Sequence, residues 1–390
     1  MILVTNRPLR SFVPAVVLLG CALALVTPGR RAEADPGATV AAAAPYGFSG
    51  APVVALVATA PEGTQSSLYF VDPATAAGAA VAALRFSHRP TGSVRAEIVP
   101  GTRTVLVAAE AVAGRDRSFA TALYRLDPGR GAIQLCTGVV YASRPLVTAD
   151  GRIFVSRGRG GPDPAAGELR VDELGIDEID LGSGAARRVH AFQGYVVHLA
   201  GASCGEIVVY RVGPGRADIV AVDRGSGALR SLVADLPPFA RDFSVDEQRG
   251  KLVYRGRHET DARRWVIEEI DLASGTRARL YEGASFSLAP HVWPAQGAQA
   301  AVAFNPDGRG LRLLRSSDAV ASPLGPGTDV VRSSSADGRF VVGEHFAAGK
   351  LPVAFVVDRP LGKARPLPVP EGARIAVAGF VEPARAGDAP

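Results

Sequence analysis

Few residues in this chain stand in patterns that chemistry could use. Gly201-Ala202-Ser203-Cys204-Gly205 matches the glycine-flanked serine of a nucleophile elbow. That chemistry needs a strand-turn-helix exposing the serine on a strained bend, with a histidine and an acid in reach. Here the motif falls between two strand-like segments, so it reads as a glycine-rich turn, and no catalytic residue is assigned. The six histidines (His88, His190, His198, His258, His291 and His345) include no pair spaced as metal ligands on one element. Cys21, Cys136 and Cys204 form no CxxC. No metal and no cofactor is expected. What remains is a scatter of charged and imidazole side chains in short apolar segments: Arg95, Glu97, Arg144, His198, Arg241, Asp242, His291 and Arg332. Guanidinium groups brought together would grip carboxylate or phosphate through paired hydrogen bonds. A histidine beside them would be a general base. The elements that carry these residues decide whether any of them meet.

Those elements form a repeat. A short apolar strand ends in Asp, and a turn closing on Gly follows. The strands end at Asp72, Asp127, Asp180, Asp223, Asp271 and Asp358, and the glycines are Gly78, Gly131, Gly184, Gly227, Gly275 and Gly362. An Asp side chain accepts backbone N–H groups two or three residues on, and Gly supplies the positive φ that closes such a turn. The Asp spacings are 55, 53, 43, 48 and 87. The last is about two repeats long, which places a seventh copy at Leu311–Arg315 with Arg315 where Asp would stand.

A second strand precedes each phrase: Val53–Thr59, Thr104–Ala109, Arg152–Ser156, Glu206–Arg211, Lys251–Arg255, Gln299–Phe304 and Arg339–Gly343. Most are continuously apolar, which in an antiparallel sheet implies burial on both faces. Blades packed face to face around an axis bury their middle strands in this way. The sequence therefore predicts an all-β, seven-bladed β-propeller over residues 51–381. Outer strands such as Ala185–Ala191 and Arg277–Glu282 complete the blades, and segments such as Tyr195–Ala200 and Phe286–Val292 begin the next ones. The first blade lacks an inner strand before Val53, so the C-terminal segment Arg374–Phe380 is expected to pair into it and close the ring. Residues 382–390 read as a tail. Cys136 and Cys204 then fall on different blades, which opposes a disulfide.

Ala149-Asp150-Gly151-Arg152-Ile153-Phe154-Val155 and Ala336-Asp337-Gly338-Arg339-Phe340-Val341-Val342 resemble the TolB-type, WD40-like repeat of bacterial periplasmic propellers. The other repeats keep the strands without that Asp-Gly turn. The resemblance implies architecture and a binding or scaffold role, and it carries over no catalytic residue. Seven-bladed lactonases are related by shape.

The N-terminus carries Arg7 and Arg10 before an apolar run, Phe12 to Val26. That length suits a signal-peptide core better than a spanning helix. Leu18-Leu19-Gly20-Cys21 resembles a lipobox, which makes Cys21 a lipidation candidate. Ala32-Glu33-Ala34 resembles a small-x-small cleavage site. Cleavage, lipidation and an uncleaved anchor are the three outcomes for residues 1–34, and the Ala-rich residues 35–50 read as a linker.

Of the net charge of +5, the first 34 residues supply +3. The rest has no concentrated basic stripe, which excludes a nucleic-acid partner. The sequence thus describes an exported monomer, periplasmic or extracellular and open to a membrane tether. It binds a protein, peptide or glycan of the cell envelope, with Arg144, His198, Arg241, Asp242, His291 and Arg332 as candidate channel residues. The alternative is a channel-sited, lactonase-like hydrolase.

Overall fold

A computed structural model of the chain describes residues 52–76, 82–88, 91–111, 121–140, 143–163, 168–193, 196–213, 215–237, 239–284, 288–293, 301–306, 311–315, 322–323, 329–346 and 351–382. Residues 1–34 with Cys21, residues 35–50 and residues 383–390, for which an export or anchor segment, a linker and a tail are expected, lie outside the described residues. So do Gly78, Tyr195, Phe286 and Gln299.

Seven four-stranded antiparallel sheets follow one another along the chain. The first joins Arg374–Val381 to Val53–Thr59, Gln65–Val71 and Leu84–Ser87. The second holds Thr91–Ile98, Val105–Ala111, Ala122–Asp127 and Gly131–Thr137; the third Leu146–Val147, Ile153–Asp163, Glu168–Ile179 and Ala186–Phe192. The fourth is Val196–Ser203, Glu206–Gly213, Arg216–Asp223 and Leu229–Leu236; the fifth Arg241–Asp246, Lys251–Arg257, Trp265–Asp271 and Arg277–Gly283. The sixth has His291–Trp293, Ala301–Phe304, Arg312–Arg315 and Ser322–Pro323; the seventh Val330–Ser334, Phe340–His345, Val353–Asp358 and Lys363–Pro366. The first strand of each set contacts its counterparts in neighbouring blades, so these seven strands surround the axis. This is the seven-bladed propeller expected from the repeat.

The ring closes where the sequence placed the closure. Arg374–Val381 pairs antiparallel with Val53–Thr59, from Thr59 opposite Arg374 to Val53 opposite Val381, with a register shift between Ala55 and Leu56. Just after the closing strand, the Glu382 carboxylate accepts the Ala336 N–H at 2.8 Å.

The described core divides along the seams between blades. Val53, Ala55 and Val57 pack with Val105, Val107 and Tyr124 of the second blade. Their alternates Val54, Leu56 and Ala58 pack with Phe340, Val342 and Val356 of the seventh. All seven residues of Val53–Thr59 are buried for this reason. A middle strand faces one seam with its odd residues and the other with its even ones, so both sets must be apolar. At about 1.5–3 kcal/mol for each fully buried large aliphatic side chain, the seams hold the ring together.

The Asp turns form as their chemistry requires. The Asp72 Oδ1 accepts Ala74 N–H at 2.8 Å, and Asp127 accepts Gly129 N–H at 2.9 Å. Asp180, Asp223 and Asp271 accept the N–H groups of Ser183, Ser226 and Ser274 at 2.7, 2.7 and 2.8 Å. Asp358 differs: it is buried and meets Arg339 Nη2 at 3.2 Å. Arg315 stands opposite Ala301, as Asp223 stands opposite Glu206 and Asp271 opposite Lys251, which confirms it as the degenerate copy.

Candidate functional site

Each inner strand ends on the face of the ring that carries the Asp turns, since Ser203 is joined by a two-residue turn to Glu206, which pairs with Asp223. Residues at the start of inner strands therefore lie toward the opposite face. Arg144 precedes Leu146–Val147, Arg241 and Asp242 open the fifth inner strand, and His198 is third in the fourth. His291 opens the sixth strand and Arg332 is third in the seventh. The structure distributes these six candidates among three groups.

The first group lies in the channel. The pairing register sets one residue of each inner strand at a common height: Gly379, Glu97, Leu146, Gly201, Ser244, His291 and Ser333. The Glu97 carboxylate is ion-paired with Arg144. Burial pushes the Glu97 carboxyl pKa above its usual value, and Arg144 offsets part of that. Burial first and the Arg144 charge second depress His291 to about 4, so its imidazole is neutral at pH 7. Its Nε2 lies 3.5 Å from Ser334 Oγ, and Ser244 Oγ accepts Val292 N–H at 3.0 Å. The sequence pointed to Arg144, His291 and Glu97. It missed Ser244, Ser333 and Ser334, because short polar residues in a strand carry no signal of their own.

The second group lies at the channel mouth, over the fourth and fifth blades. His198 stacks on Tyr210 with ring centroids 6.1 Å apart. Burial and, after it, the Arg241 charge lower the His198 pKa. Arg241 is exposed, and Asp242 pairs with Arg255 Nη2 at 2.8 Å. The backbone from the end of the fourth blade's outer strand into the fifth inner strand is strained: Asp235, Phe239 and Asp242 have φ of 56°, 86° and 54°, in the region L residues rarely adopt. Its anchors are specific. The Asp235 N–H donates to Asp218, and the N–H groups of Phe239 and Ala240 both donate to the Tyr210 hydroxyl, at 3.1 and 3.3 Å. Strain held by such contacts gathers at binding and catalytic sites. Phe239 is left 51% exposed.

Next to it, the Arg257 guanidinium carbon lies 5.7 Å from the Phe239 ring centroid and 5.8 Å from that of Trp265. A shallow dimple with room for little more than one water lies here, lined among others by Leu236, Pro237, Ala240, Arg257, Glu259 and Glu268. Phe239, Arg257 and Trp265 were not legible as a site, since each sits among ordinary strand and loop residues in the sequence.

Arg332 stands apart from both groups, its Nη2 bonded to Glu344 at 2.6 Å. The six candidates are thus not one ring: His198 answers to Arg241, His291 to Arg144, and Arg332 to a neighbour in its own blade. The elbow-like motif is a hairpin turn. Cys204 and Gly205 have φ of 49° and 85°, the two successive positive values of a type I′ turn. Ser203 is buried, with contacts only at 3.5 Å, to Cys204 and the Glu247 carbonyl. Cys136 and Cys204 are free thiols. Among the described residues, no three His, Cys, Asp or Glu side chains gather as a metal site.

No family model matches the chain, and no curated protein does. Solved structures match the fold. The chain is 14% identical to a prolyl endopeptidase structure at a TM-score of 0.51, covering 83% of this chain and 50% of that one, so it spans half that enzyme's length. It is 10% identical to a putative 6-phosphogluconolactonase from Bacteroides fragilis at a TM-score of 0.50, covering 86% and 99%. It is 14% identical to TolB from Acinetobacter baumannii at a TM-score of 0.48, covering 84% and 67%. At these identities the likeness shows the propeller fold alone. The TolB-like resemblance in the sequence is one of architecture, and the ring of blades bears it out.

Proposed function

We propose that this chain is an exported, non-catalytic propeller, monomeric and periplasmic or extracellular, that binds a protein, peptide or glycan partner of the cell envelope. The partner docks at the channel mouth over the fourth and fifth blades. One observation carries this reading: a backbone segment strained at Asp235, Phe239 and Asp242 is pinned by Tyr210 so that an exposed phenyl ring and an exposed arginine, Arg241, flank the channel. Exposed aromatic and arginine side chains on a rigid frame are what binding hot spots are made of. The test is capture from envelope extract with the tagged protein and with a Phe239→Ala/Arg241→Ala variant. A partner held by the first and lost by the second is expected. Equal capture by both, or no capture while the purified protein turns over a lactone or ester, would sink the reading.

The N-terminal segment serves export in this proposal, and Cys21 tethers the chain if it is lipidated. Radiolabelled palmitate should then enter the wild type and not Cys21→Ser; equal labelling of the two ends the tether.

A second reading, a lactonase-like hydrolase, is favoured by the neutral His291 in the channel near the Arg144–Glu97 pair. It predicts turnover that His291→Ala abolishes, and turnover unchanged by that substitution would rule the histidine out.

A further inference from the structure

We infer that His258 is an acid-sensitive cap on the hairpin tip of the fifth blade, and that its protonation frees the tip and releases the partner from the channel mouth. The inference adds a control to the binding reading above and rests on it.

The tip joins Lys251–Arg257 to Trp265–Asp271. The His258 N–H donates to the Arg264 carbonyl at 3.1 Å and closes it. Inside the turn, the His258 Nδ1 accepts the N–H groups of Thr260 and Asp261, at 3.2 and 3.1 Å. Those are the amides two and three residues on, which an Asp or Asn side chain takes in an Asx turn. Asp223 makes that turn in the fourth blade, accepting the Gly225 and Ser226 N–H groups at 3.1 and 2.7 Å. His258 thus does with a ring nitrogen what Asp223 does with a carboxylate. Acid treats the two differently. Hydrogen bonds from Ser226 hold the Asp223 carboxyl below its usual pKa, so it stays a charged acceptor. Imidazole is the side chain whose charge ordinarily changes between about pH 5 and 8, and once it is protonated both ring nitrogens are donors. A protonated Nδ1 faces two N–H donors and caps neither.

The charges around the ring give the protonated form a place to go. The His258 Nε2 lies 3.6 Å from Glu282 Oε1 on the outer strand. Glu282 also meets Arg264 Nε at 2.9 Å and Arg279 Nη1 at 3.6 Å, so two guanidinium groups hold it while the imidazole is neutral. Within the turn, Glu259 pairs with Arg277, and Asp261 accepts the Arg263 N–H at 2.9 Å. The Thr260 hydroxyl is 3.4 Å from Nδ1; it can accept from a protonated ring but offers the two amides no acceptor. Protonation therefore turns the ring toward Glu282 and leaves both amides uncapped. The effect reaches the mouth through the hairpin. Arg257 stands opposite Trp265 in the last pair before the tip, and its guanidinium carbon lies 5.7 Å from the Phe239 ring centroid. A loosened tip loosens that pair, and with it the contact that steadies Phe239.

The experiment is amide hydrogen exchange of the full-length protein and of His258→Asn, read by NMR at about pH 7.5 and about pH 5 and corrected for the intrinsic rate at each pH. The Asn side-chain oxygen accepts the same two N–H groups and does not titrate. Protection at Thr260 and Asp261 should fall at least tenfold on acidification in the wild type and stay nearly constant in the variant. The Ser226 amide, capped by Asp223, should keep its protection in both and is the internal reference. Partner capture from envelope extract should be lost in acid by the wild type and kept by His258→Asn. Protection at Thr260 and Asp261 that ignores pH, or that falls equally in the two proteins, overturns the cap. A tip that switches while capture ignores pH overturns the control over the partner. A tip that switches with no capture at either pH upholds the cap and removes the binding reading.

Discussion

Arg230, on the outer strand of the fourth blade, donates to the carbonyl of Leu272 in the Asp turn of the fifth at 2.8 Å. The relation recurs around the ring. Arg125 Nη1 reaches the Leu181 carbonyl at 2.7 Å, Arg187 Nη2 that of Arg224 at 3.1 Å, and Arg365 Nη1 that of Pro73 at 3.5 Å. Each acceptor is the residue directly after the turn's Asp, at Asp180, Asp223, Asp271 or Asp72. The Asp turn thus has two duties: it reverses the chain within its blade, and it presents a carbonyl to the arginine of the blade before.

These contacts differ in burial, and their loss should differ accordingly. A hydrogen bond from a charged donor contributes about 1.5–3 kcal/mol when shielded and less when solvent competes. Arg125 is 7% exposed, whereas the Arg230 side chain is 42% exposed. Arg125→Ala should cost about 2–3 kcal/mol, because it leaves the Leu181 carbonyl without its partner. Arg230→Ala should cost about 1 kcal/mol. Thermal or denaturant unfolding reads both, and equal losses would deny the seam its role.

The turn glycines offer a second comparison. Gly227 has φ of 73°, and a Cβ there would lie 2.3 Å from the Val189 carbonyl oxygen of the third blade. Gly205 has φ of 85° with nothing within 4 Å of a Cβ. Gly205→Ala adds only backbone strain, about 1 kcal/mol. Gly227→Ala adds strain and a clash with backbone that cannot yield, so it should cost about 3 kcal/mol or more. Equal melting temperatures for the two variants would contradict the packing of the turns against the preceding blade.

What the sequence disclosed and what it hid follow from this division of labour. The repeat was legible because burial on both faces forces Val54-Ala55-Leu56-Val57 and its counterparts to be apolar, and because Asp and Gly are needed at fixed places in a turn. Even the copy with Arg315 could be found by spacing. The site was not legible, because it is made by residues that meet only when blades meet. Tyr210 of the fourth blade anchors Phe239 from the connection that follows it, and the Phe239 and Trp265 rings, from different segments, both lie near the Arg257 guanidinium, at 5.7 and 5.8 Å. Arg144 and His291 were individually visible on inner strands, but only the closed ring brings one into the other's field.

That field gives a pH dependence. His291 is depressed from 6.5 to about 4 in the folded chain, by burial and then by Arg144. The unfolded chain therefore takes up a proton at this histidine before the folded chain does. Stability from this group is complete above about pH 6.5 and is lost as pH falls toward 4. Glu97 acts in the opposite sense, since its pKa is raised and the folded chain holds its proton more tightly. His291→Gln should flatten the fall in melting temperature between pH 6.5 and 4. An unchanged slope would show that the imidazole does not sit in the field described.

The mouth loop makes the sharpest prediction. The Tyr210 hydroxyl accepts both the Phe239 and the Ala240 N–H, and burial raises its pKa, so it stays a neutral phenol. Tyr210→Phe keeps the ring against His198 and Phe243 but strips two amides of their acceptor. An amide left without a partner costs about 1–3 kcal/mol, and here φ of 86° at Phe239 adds a cost that only the anchor offsets. The substitution should let the loop relax. Hydrogen exchange at Phe239 and Ala240 should quicken at least tenfold while the amides of Val208 and Val220, in the blade's middle strands, keep their protection. Partner capture should fall with it. Unchanged exchange at Phe239 would mean that the strain is held elsewhere, and that the exposed ring is not presented by Tyr210.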